Sequence, residues 1–434
     1  MLSHRQHDGL NAFSQRLAGV LLCCMILSSI AHGFMPRFPV VIAGLFGWAA
    51  GMLLVRSIGG IQRIQSLLML CAGGAGLLWG LLSAGTARFE QAIVANQAML
   101  AMLASVSFLR LITLPSRGDD EVLPTGRHAL WRTLFGVHFF GAVINLSTVM
   151  IVGDRQSRNR PLTSLQASVL SRGFAMAANW SPFFAAMGVA LTNAPGADLT
   201  VVSLTGLPVA MLALAFSVWQ FGRLFDVDDF RGYPLNFQAL WIPGLLALAV
   251  LVLHNHFPGL SILTLISALA VSLTLLVMLA RHRLEGIAQV GSFVTNGLPR
   301  MSGELVLFLS AGVLAAGIST AVAASGLDLT PDSFGPAQAS LLLVAMVLLS
   351  VVGIHPVISV TTASGLILPA APDPNLLAMT FLMTWATGVC VSPFSGLSLA
   401  IQGRYGINAF GFPRWNGLFA LLLLGLDILV LHLM

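Results

Sequence analysis

Long apolar runs constrain this chain more than any other feature of its sequence. Most of them are about 20 residues long, which is the length of helix that crosses the hydrocarbon core of a bilayer. Short polar segments lie between them. The runs occupy residues 16–34, 38–55, 65–86, 91–113, 128–157, 163–192, 200–221, 238–254, 258–281, 304–325, 337–370, 375–402 and 413–433. The chain is therefore predicted to be an all-α polytopic membrane protein.

The charge content supports lipid as the solvent. Only 9% of the residues are charged and 57% are apolar, whereas about a quarter of a soluble domain is charged. Every basic residue is an arginine, and the arginines lie in short segments between apolar runs rather than in one cluster, so no nucleic-acid partner is expected. The four cysteines (Cys23, Cys24, Cys71 and Cys390) lie in apolar runs without metal-ligand spacing, which predicts neither a disulfide framework nor a zinc site.

Arginine positions indicate that not every run crosses the membrane. If all the runs crossed, the loop with Arg155, Arg158 and Arg160 would face the side opposite Arg117 and Arg127. Such an arrangement violates the positive-inside rule. Two of the runs are therefore predicted to enter the membrane and return to the same side.

Re-entrant hairpins at 128–157 and 337–370 remove this conflict. About eleven helices then cross, with the amino terminus in the cytoplasm and the carboxyl terminus in the periplasm of a bacterial inner membrane. Only Arg37 and Arg88 then lie outside, while Arg172 lies within a crossing helix. The first run lacks a convincing cleavage site and is predicted to be a retained helix. Because hairpin tips cannot face lipid, the two hairpins predict a polar cavity near the middle of the membrane.

Two Ser-Pro-Phe sequences lie in the middle of apolar runs. Ser181-Pro182-Phe183 follows Asn179, and Ser392-Pro393-Phe394 occurs 211 positions later. Proline lacks a backbone N–H group and clashes with the carbonyl four residues earlier. Each run, 163–192 and 375–402, is therefore predicted to be a broken helix.

A polar hairpin precedes each predicted break at nearly the same spacing. Ser147 precedes Ser181 by 34 residues, and Ser359 precedes Ser392 by 33. We interpret this as an inverted repeat. The predicted divisions are an N-terminal segment with an extra helix at 1–37, a first repeat at 38–237 with scaffold helices at 38–113, and a second repeat at 238–434 with scaffold helices at 238–325.

Broken helices and hairpin tips direct helix amino termini at anionic substrates, while freed carbonyls and hydroxyls can coordinate a cation. The candidate substrate-binding residues are Asn145, Ser147, Thr148, Asn179, Ser181, Pro182, His355, Pro356, Ser359, Thr361, Thr362, Ser392, Pro393 and Ser395. A sodium ion is possible near Asn145, Ser147, Ser359 and Ser392. Each hydroxyl has an ordinary alternative role, which is to bond a carbonyl of its own helix or to join helices.

This arrangement resembles the ion transporter superfamily, and most closely the divalent anion/sodium symporter branch. The branch carries a Ser-Asn-Thr motif at each hairpin tip. Here Asn145-Leu146-Ser147-Thr148 matches it in part, and His355-Pro356 replaces the second motif. The resemblance covers roughly residues 38–433. It implies an elevator-type secondary transporter that forms a homodimer.

Four ionisable residues in the apolar runs are further candidates. His355 and His138 could carry a proton or pair with an anion, or could be neutral and bonded to the backbone. Arg172 could face a cavity or partner, or extend to the cytoplasmic surface. Asp427 is the only carboxylate deep in an apolar run, and it could be a helix-packing contact.

The sequence thus favours symport of a small, organic-acid-like anion coupled to sodium or protons. We expect a transporter rather than an enzyme, with no cofactor. The alternatives are an integral membrane enzyme or a flippase acting on a lipid-linked substrate, and a cation–proton antiporter. An enzyme would usually carry its reactive groups near one interface, whereas here the polar residues are concentrated in mid-span. An antiporter generally needs a buried carboxylate at its cation site.

Overall fold

The computed structural model describes residues 2–113, 123–158, 160–233, 241–325 and 331–434. Within these ranges the regular structure is helical, and the one sheet-like contact is an isolated antiparallel bridge between Thr125 and Arg231. The α-helices are α1 (Leu2–Phe34), α2 (Val40–Leu54), α3 (Gly60–Ala84), α4 (Phe89–Val94), α5 (Gln97–Ser107), α6 (Arg110–Thr113), α7 (Gly126–Ile144), α8 (Leu146–Ser157), α9 (Ser164–Ala175), α10 (Ala185–Asn193), α11 (Leu199–Leu224), α12 (Trp241–His256), α13 (Ile262–Asn296), α14 (Ser302–Ser325), α15 (Pro336–Val351), α16 (Pro356–Ile367), α17 (Pro374–Val391), α18 (Gly396–Tyr405) and α19 (Phe412–Leu433).

The predicted fold class, an all-α polytopic membrane protein, is confirmed. In the described ranges, 8 helical segments of at least 18 residues are apolar enough to cross a membrane. One of these, Ile262–Ser325, contains both α13 and α14. The count of eleven crossings, the re-entry of the hairpins and the orientation of the termini stay predictions. Arg117, which entered the orientation argument, lies outside the described residues.

The chain divides into two compact units. The first unit comprises Met1–Thr113, Leu246–Thr330 and Thr361–Leu366, and the second comprises Leu114–Leu245, Pro331–Val360 and Ile367–Met434. Each unit therefore takes segments from both predicted repeats, 38–237 and 238–434. The second unit contains both Ser-Pro-Phe sequences.

Glycines bring α3 and α14 into close contact in the first unit. The backbone of Gly73 faces Val313 and Gly317, and that of Gly76 faces Gly317, at distances that leave no room for a methyl group. Close approach of backbones through small residues is how membrane helices associate when the surrounding lipid is as apolar as their side chains. This contact explains why the two apolar helices pack here.

Replacing Gly73 with alanine is expected to lower the thermal stability of the protein. The new methyl group would overlap the Val313 carbonyl, and overpacking of this kind costs about 1–3 kcal/mol. Gly74 provides a matched control on the same helix, because an added methyl group there would meet nothing within 4 Å. Thermal unfolding of both variants in detergent measures the difference. Equal melting temperatures for the two variants would contradict this packing.

Each predicted hairpin contains a pair of helices of which at least one is too short to cross a bilayer. Asn145 alone joins the 19-residue α7 to the 12-residue α8, and Val352–His355 joins the 16-residue α15 to the 12-residue α16. A 12-residue helix is only about 18 Å long, against about 30 Å of hydrocarbon. The pairs lie in the predicted hairpins at 128–157 and 337–370. We call α7 and α8 the first hairpin and α15 and α16 the second hairpin, and their re-entry into the membrane stays a prediction.

The helix breaks predicted at the two Ser-Pro pairs are confirmed. The first broken helix consists of α9, a 3₁₀ turn at Met176–Asn179, and α10. The second consists of α17 and α18, separated by Ser392–Ser395. Pro182 and Pro393 lie within the irregular segments, as expected for a residue that cannot donate to the helix.

Candidate functional site: two helix breaks and two hairpin tips

The hydroxyl of Ser181 joins the first break to the first hairpin. Its Oγ donates to the Ala142 carbonyl at 2.5 Å, and it accepts from the Phe183 backbone N–H at 3.2 Å. Ala142 lies in the last turn of α7, just before the tip. Because Ser181 is fully buried, both bonds are shielded from water. The hydroxyl proton is thus used to hold the break against the hairpin.

Ser392 makes the same two bonds in the second predicted repeat, 238–434. Its Oγ donates to the Ser350 carbonyl at 2.5 Å and accepts from the Phe394 backbone N–H at 3.2 Å. Ser350 lies near the end of α15, again just before the hairpin turn. We call this pair of bonds the serine lock. Ser181 and Ser392 therefore share their hydrogen-bond pattern as well as their spacing from the preceding polar segment, while the inverted repeat itself stays a prediction.

The first hairpin tip is built around Asn145. Its backbone has φ 54°, a conformation uncommon for residues other than glycine, which lets α7 end and α8 begin at one residue. The Asn145 Nδ2 donates to the Phe183 carbonyl at 3.2 Å. The start of α8 is therefore held beside the chain that leads into α10. Ser147 is half-buried in the first turn of α8.

Two candidates of the first repeat have buried polar atoms without a hydrogen-bond partner among the described residues. These atoms are the Thr148 hydroxyl and both amide atoms of Asn179. Thr148 lies in the first turn of α8, and Asn179 ends the 3₁₀ turn before the break. Gly206 of α11 packs on the Asn179 backbone so closely that a methyl group would not fit. Polar atoms of this kind are suited to a bound solute.

The second hairpin tip uses glycine and histidine instead of asparagine. Gly353 has φ 109° and packs against the Phe394 ring. The Nδ1 of half-buried His355 accepts from the Val357 backbone N–H at 3.2 Å, so the ring caps the start of α16. The ring also meets Trp385 edge to face, with centroids 5.3 Å apart. His355 thus makes the backbone contact that its structural alternative describes, while its role in binding an anion or a proton stays a prediction; Pro356 is the first residue of α16.

The remaining serine candidates of the second repeat are bonded locally. Ser359 donates to the Pro356 carbonyl at 3.0 Å. Ser395 caps α18 by accepting from the Ser398 N–H at 3.1 Å, while the Ser398 hydroxyl donates to the Ser392 carbonyl at 2.8 Å. The bonds of Ser395 and Ser398 satisfy groups that the break would otherwise leave unpaired, whereas the Ser359 bond lies within α16.

Thr361 and Thr362 belong to a different compact unit from the other candidates. Both belong to Thr361–Leu366, the segment of α16 that is grouped with the first unit. The Thr361 hydroxyl is buried and has no hydrogen-bond partner among the described residues. The other candidate site residues all belong to the second unit.

Four helices begin at the breaks and tips, which concentrates partial positive charge there. They are α8, α10, α16 and α18. In the second repeat, His355 caps α16 and Ser395 caps α18. In the first repeat, neither α8 nor α10 has a side-chain cap. The first repeat therefore presents helix amino termini that suit an anion better.

His138 is a neutral structural residue. Its Nδ1 lies 3.1 Å from the Gly173 carbonyl and must donate to it, while its Nε2 accepts from the Trp180 Nε1 at 3.0 Å. One donating and one accepting nitrogen define the neutral ring. Trp180, which sequence reasoning passed over although it directly precedes Ser181, thereby ties the break to α7. Of the two predicted roles, the structure favours the neutral one.

Arg172 is buried, which excludes the alternative in which it extends to the cytoplasmic surface and leaves the one in which it faces a partner. Its guanidinium lies between the rings of Phe221 and Phe419, 4.3 Å from each centroid. It donates to Asn416 Oδ1 at 2.9 Å and Gln220 Oε1 at 2.6 Å. A third bond, of 3.1 Å, reaches the Trp415 carbonyl, and a fourth, of 3.5 Å, reaches Ser217. All recorded partners are neutral, so aromatic faces and dipoles hold this charge.

Asn416 connects the Arg172 cluster to the second break. Its Nδ2 donates to the Cys390 carbonyl at 2.8 Å and to the Ser171 hydroxyl at 3.2 Å. Cys390 is the second-last residue of α17. Because the helix ends one residue later, the Cys390 carbonyl has no helical N–H group to accept from and is satisfied by Asn416 instead. Sequence reasoning missed Asn416, because nothing in its neighbourhood in α19 distinguishes it from an ordinary polar residue in a spanning helix.

An exposed ion pair joins the first hairpin to the second broken helix. Arg404 binds both carboxylate oxygens of Asp154, at 2.6 and 2.7 Å. The Tyr405 hydroxyl lies 2.7 Å from the Met150 carbonyl and 3.0 Å from Asp154 Oδ1, and its single proton can be donated to either acceptor. Asp154 and Met150 belong to α8, whereas Arg404 and Tyr405 end α18. The pair thus joins α8 to α18 within the second unit.

Among the described residues, no group of three or more histidine, cysteine, aspartate or glutamate side chains could hold a metal ion. Sodium ligands of another kind, hydroxyls and carbonyls, were predicted near Asn145, Ser147, Ser359 and Ser392. That assignment stays a prediction. The Ser359 and Ser392 hydroxyl protons are already donated to carbonyls, so only their oxygen lone pairs would serve a cation.

No family model matches this chain, and no curated protein matches its sequence. A solved structure that resembles it is that of the Alcanivorax borkumensis YdaH transporter, reported to have an unusual topology. The likeness covers 83% of this chain and 85% of that chain, with a TM-score of 0.43 and 13% sequence identity. Function is therefore inferred from the geometry of the breaks and tips.

Proposed function

We propose that this protein is a secondary active transporter for a small, organic-acid-like anion. The observation that carries the proposal is the serine lock, which occurs in both repeats of one unit. A repeated pair of broken helices held to hairpins is the architecture in which membrane transporters form mid-membrane solute sites. The uncapped starts of α8 and α10, with the unpartnered Asn179 amide, favour an anionic solute.

In this proposal the second unit carries the solute by an elevator-type motion in the bacterial inner membrane. The Arg172 cluster and the Arg404–Asp154 pair tie elements of both repeats together, which suits a unit that moves as one body. The first unit would serve as the scaffold of a homodimer. Sodium or protons would drive the transport. The divalent anion/sodium symporter branch of the ion transporter superfamily is the proposed relationship.

Uptake by proteoliposomes tests the proposal. Radiolabelled succinate, citrate, glutamate, benzoate and sulfate would be offered under an inward sodium gradient, an inward proton gradient, or neither. We expect one organic anion to accumulate only when a gradient is present, and to exchange with unlabelled solute inside the vesicles. Failure of all four organic anions to exchange would contradict the organic-anion assignment.

Cation–proton antiport is a second candidate, because the structure contains a fully buried carboxylate at Asp427. Addition of sodium or potassium to acid-loaded vesicles would then dissipate the pH gradient without any organic anion. The same vesicles distinguish the two functions. We expect no such dissipation if the protein is an anion symporter.

A further inference from the structure

We propose that Asp427 is a proton-binding residue whose loading is coupled to anion movement. This inference rests on the proposed transport function and assigns its coupling ion. Asp427 lies in α19 of the second unit, in the same unit as both helix breaks. The sequence alone left it as a possible packing contact.

The surroundings of Asp427 do not suit a permanent charge. Its side chain is 0% exposed. Oδ2 accepts from the Thr387 hydroxyl at 3.3 Å, and Oδ1 has no hydrogen-bond partner among the described residues. An ionised carboxylate in such a place is expensive unless a cation or several donors compensate it. A single long hydroxyl contact is little compensation, so a bound proton is the simplest neutralising species.

The helices packed against α19 offer Asp427 little charge compensation. The helices with the most extensive packing are α17, α15, α9 and α11. Among these, α15 carries no titratable side chain, α17 carries only Cys390, α9 only Arg172 and α11 only Arg223. Arg172 is engaged by Asn416, about three helical turns before Asp427 on α19. On α19 itself, Arg414 lies near the opposite end and exposed His432 is paired with the Ile428 carbonyl.

Thr387 links Asp427 to the second break. Three threonines are fully buried on α17, namely Thr380, Thr384 and Thr387. Thr380 and Thr384 donate to carbonyls of their own helix, whereas Thr387 donates across to Asp427. Thr387 lies about one and a half turns before Ser392, where α17 ends. A change of charge at Asp427 would therefore act on the helix that carries the second serine lock.

The step is a reversible protonation and requires no other chemistry. A proton from the aqueous phase on one side adds to a carboxylate oxygen of Asp427, and the same proton leaves to the aqueous phase on the other side. No covalent bond of the substrate is made or broken. Neutralisation allows the buried residue to remain in the apolar interior while the unit moves.

Infrared spectroscopy detects the proton without any substrate. In proteoliposomes at neutral pH, we expect the wild-type protein to show the carbonyl stretch of a protonated carboxylic acid that shifts in D₂O. The Asp427→Asn variant should lack this band. A spectrum that is the same in the variant and the wild type would overturn the assignment of a proton to Asp427.

Transport then tests the coupling. With the organic anion identified in the uptake panel, D427N should lose accumulation driven by a proton gradient, and its anion exchange should no longer depend on pH. Loss of exchange as well, at an unchanged melting temperature, would instead make Asp427 part of anion binding and overturn the coupling role. Accumulation by wild-type protein under a sodium gradient alone would also overturn it, while leaving the transporter proposal intact.

Thr387 provides a second variant in case D427N does not fold. Thr387→Val removes the hydroxyl that donates to the carboxylate and should shift the pH midpoint of uptake. Thr384→Val, the matched control, removes only a bond within α17 and should leave the midpoint unchanged. Identical pH profiles for T387V and wild type would argue against the coupling. If no organic anion of the panel moves, the transporter proposal fails, and the infrared result still decides whether Asp427 holds a proton.

Discussion

Replacing Arg172 with alanine is expected to destabilise the protein by at least about 3 kcal/mol, because three buried acceptors would lose their donor. The change would leave Asn416 Oδ1, Gln220 Oε1 and the Trp415 carbonyl without their donor. Each buried acceptor left unpaired costs about 1–3 kcal/mol. The cation–π contacts with two phenylalanine rings would also be lost. Thermal unfolding in detergent should show the melting temperature falling by about 3–6 °C, because the unfolding entropy of a chain of this length is about 0.9 kcal/mol/K.

Two further arginine variants distinguish the loss of the contacts of Arg172 from the general effect of removing a positive charge. Arg172→Lys keeps the charge but loses the planar set of donors, so we expect most of the destabilisation to remain. Arg404→Ala removes an exposed pair in the same unit, in which the side chains of Arg404 and Asp154 are 54% and 44% exposed. Exposed pairs contribute about 1 kcal/mol or less. A decrease for R404A as large as that for R172A would contradict this account of the cluster.

Replacing Ser181 or Ser392 with alanine is expected to reduce anion uptake by about ten- to a hundredfold. Each change removes a buried hydroxyl that donates to the hairpin and accepts from the backbone two residues later. The unpaired carbonyl costs about 1–3 kcal/mol, and a factor of ten in rate corresponds to about 1.4 kcal/mol. The similarity of the two locks predicts losses of similar size. Initial rates of uptake of the panel anion measure them.

Ser340→Ala is the matched control for the serine locks. Ser340 is also buried in the second unit, but its hydroxyl donates to the Pro336 carbonyl of its own helix. Its replacement should leave uptake within about twofold of wild type, as expected for a change of a few tenths of a kcal/mol. Threonine at 181 or 392 retains a hydroxyl and should restore part of the rate. Normal uptake by both alanine variants would show that the locks are dispensable.

The helix breaks could be predicted because their cause is local. Pro182 and Pro393 lack an N–H group wherever the chain folds, so their position in a long apolar run predicts an interruption without any knowledge of neighbours. The spacing between each hairpin and its break is likewise a property of the sequence alone. What the serines do there could not be predicted in the same way. The acceptor of the Ser181 hydroxyl, the Ala142 carbonyl, lies 39 positions away and becomes an acceptor only when α7 ends beside the break.

The roles of the ionisable residues depended almost wholly on packing. Sequence reasoning allowed Arg172 either a surface or a cavity, whereas its partners Asn416 and Gln220 lie 244 and 48 positions away in the chain. The sequence allowed His138 to be either a proton carrier or a neutral residue. In the structure, the Gly173 carbonyl and the Trp180 indole show which of its two nitrogens donates and which accepts. No periodicity predicts such partners, because they come from different helices.

By itself, the sequence determined the solvent, the helical class, and the positions at which helices are interrupted. These follow from the apolar character of each run and from the backbone chemistry of proline, both of which are properties of single segments. Only the tertiary structure decided which helices belong to each unit, which hydroxyls are already bonded, and that Asp427 is buried beside Thr387. The physical reason is that an apolar helix face looks the same in sequence whether it meets lipid or protein, so the contacts that assign roles arise only when helices pack.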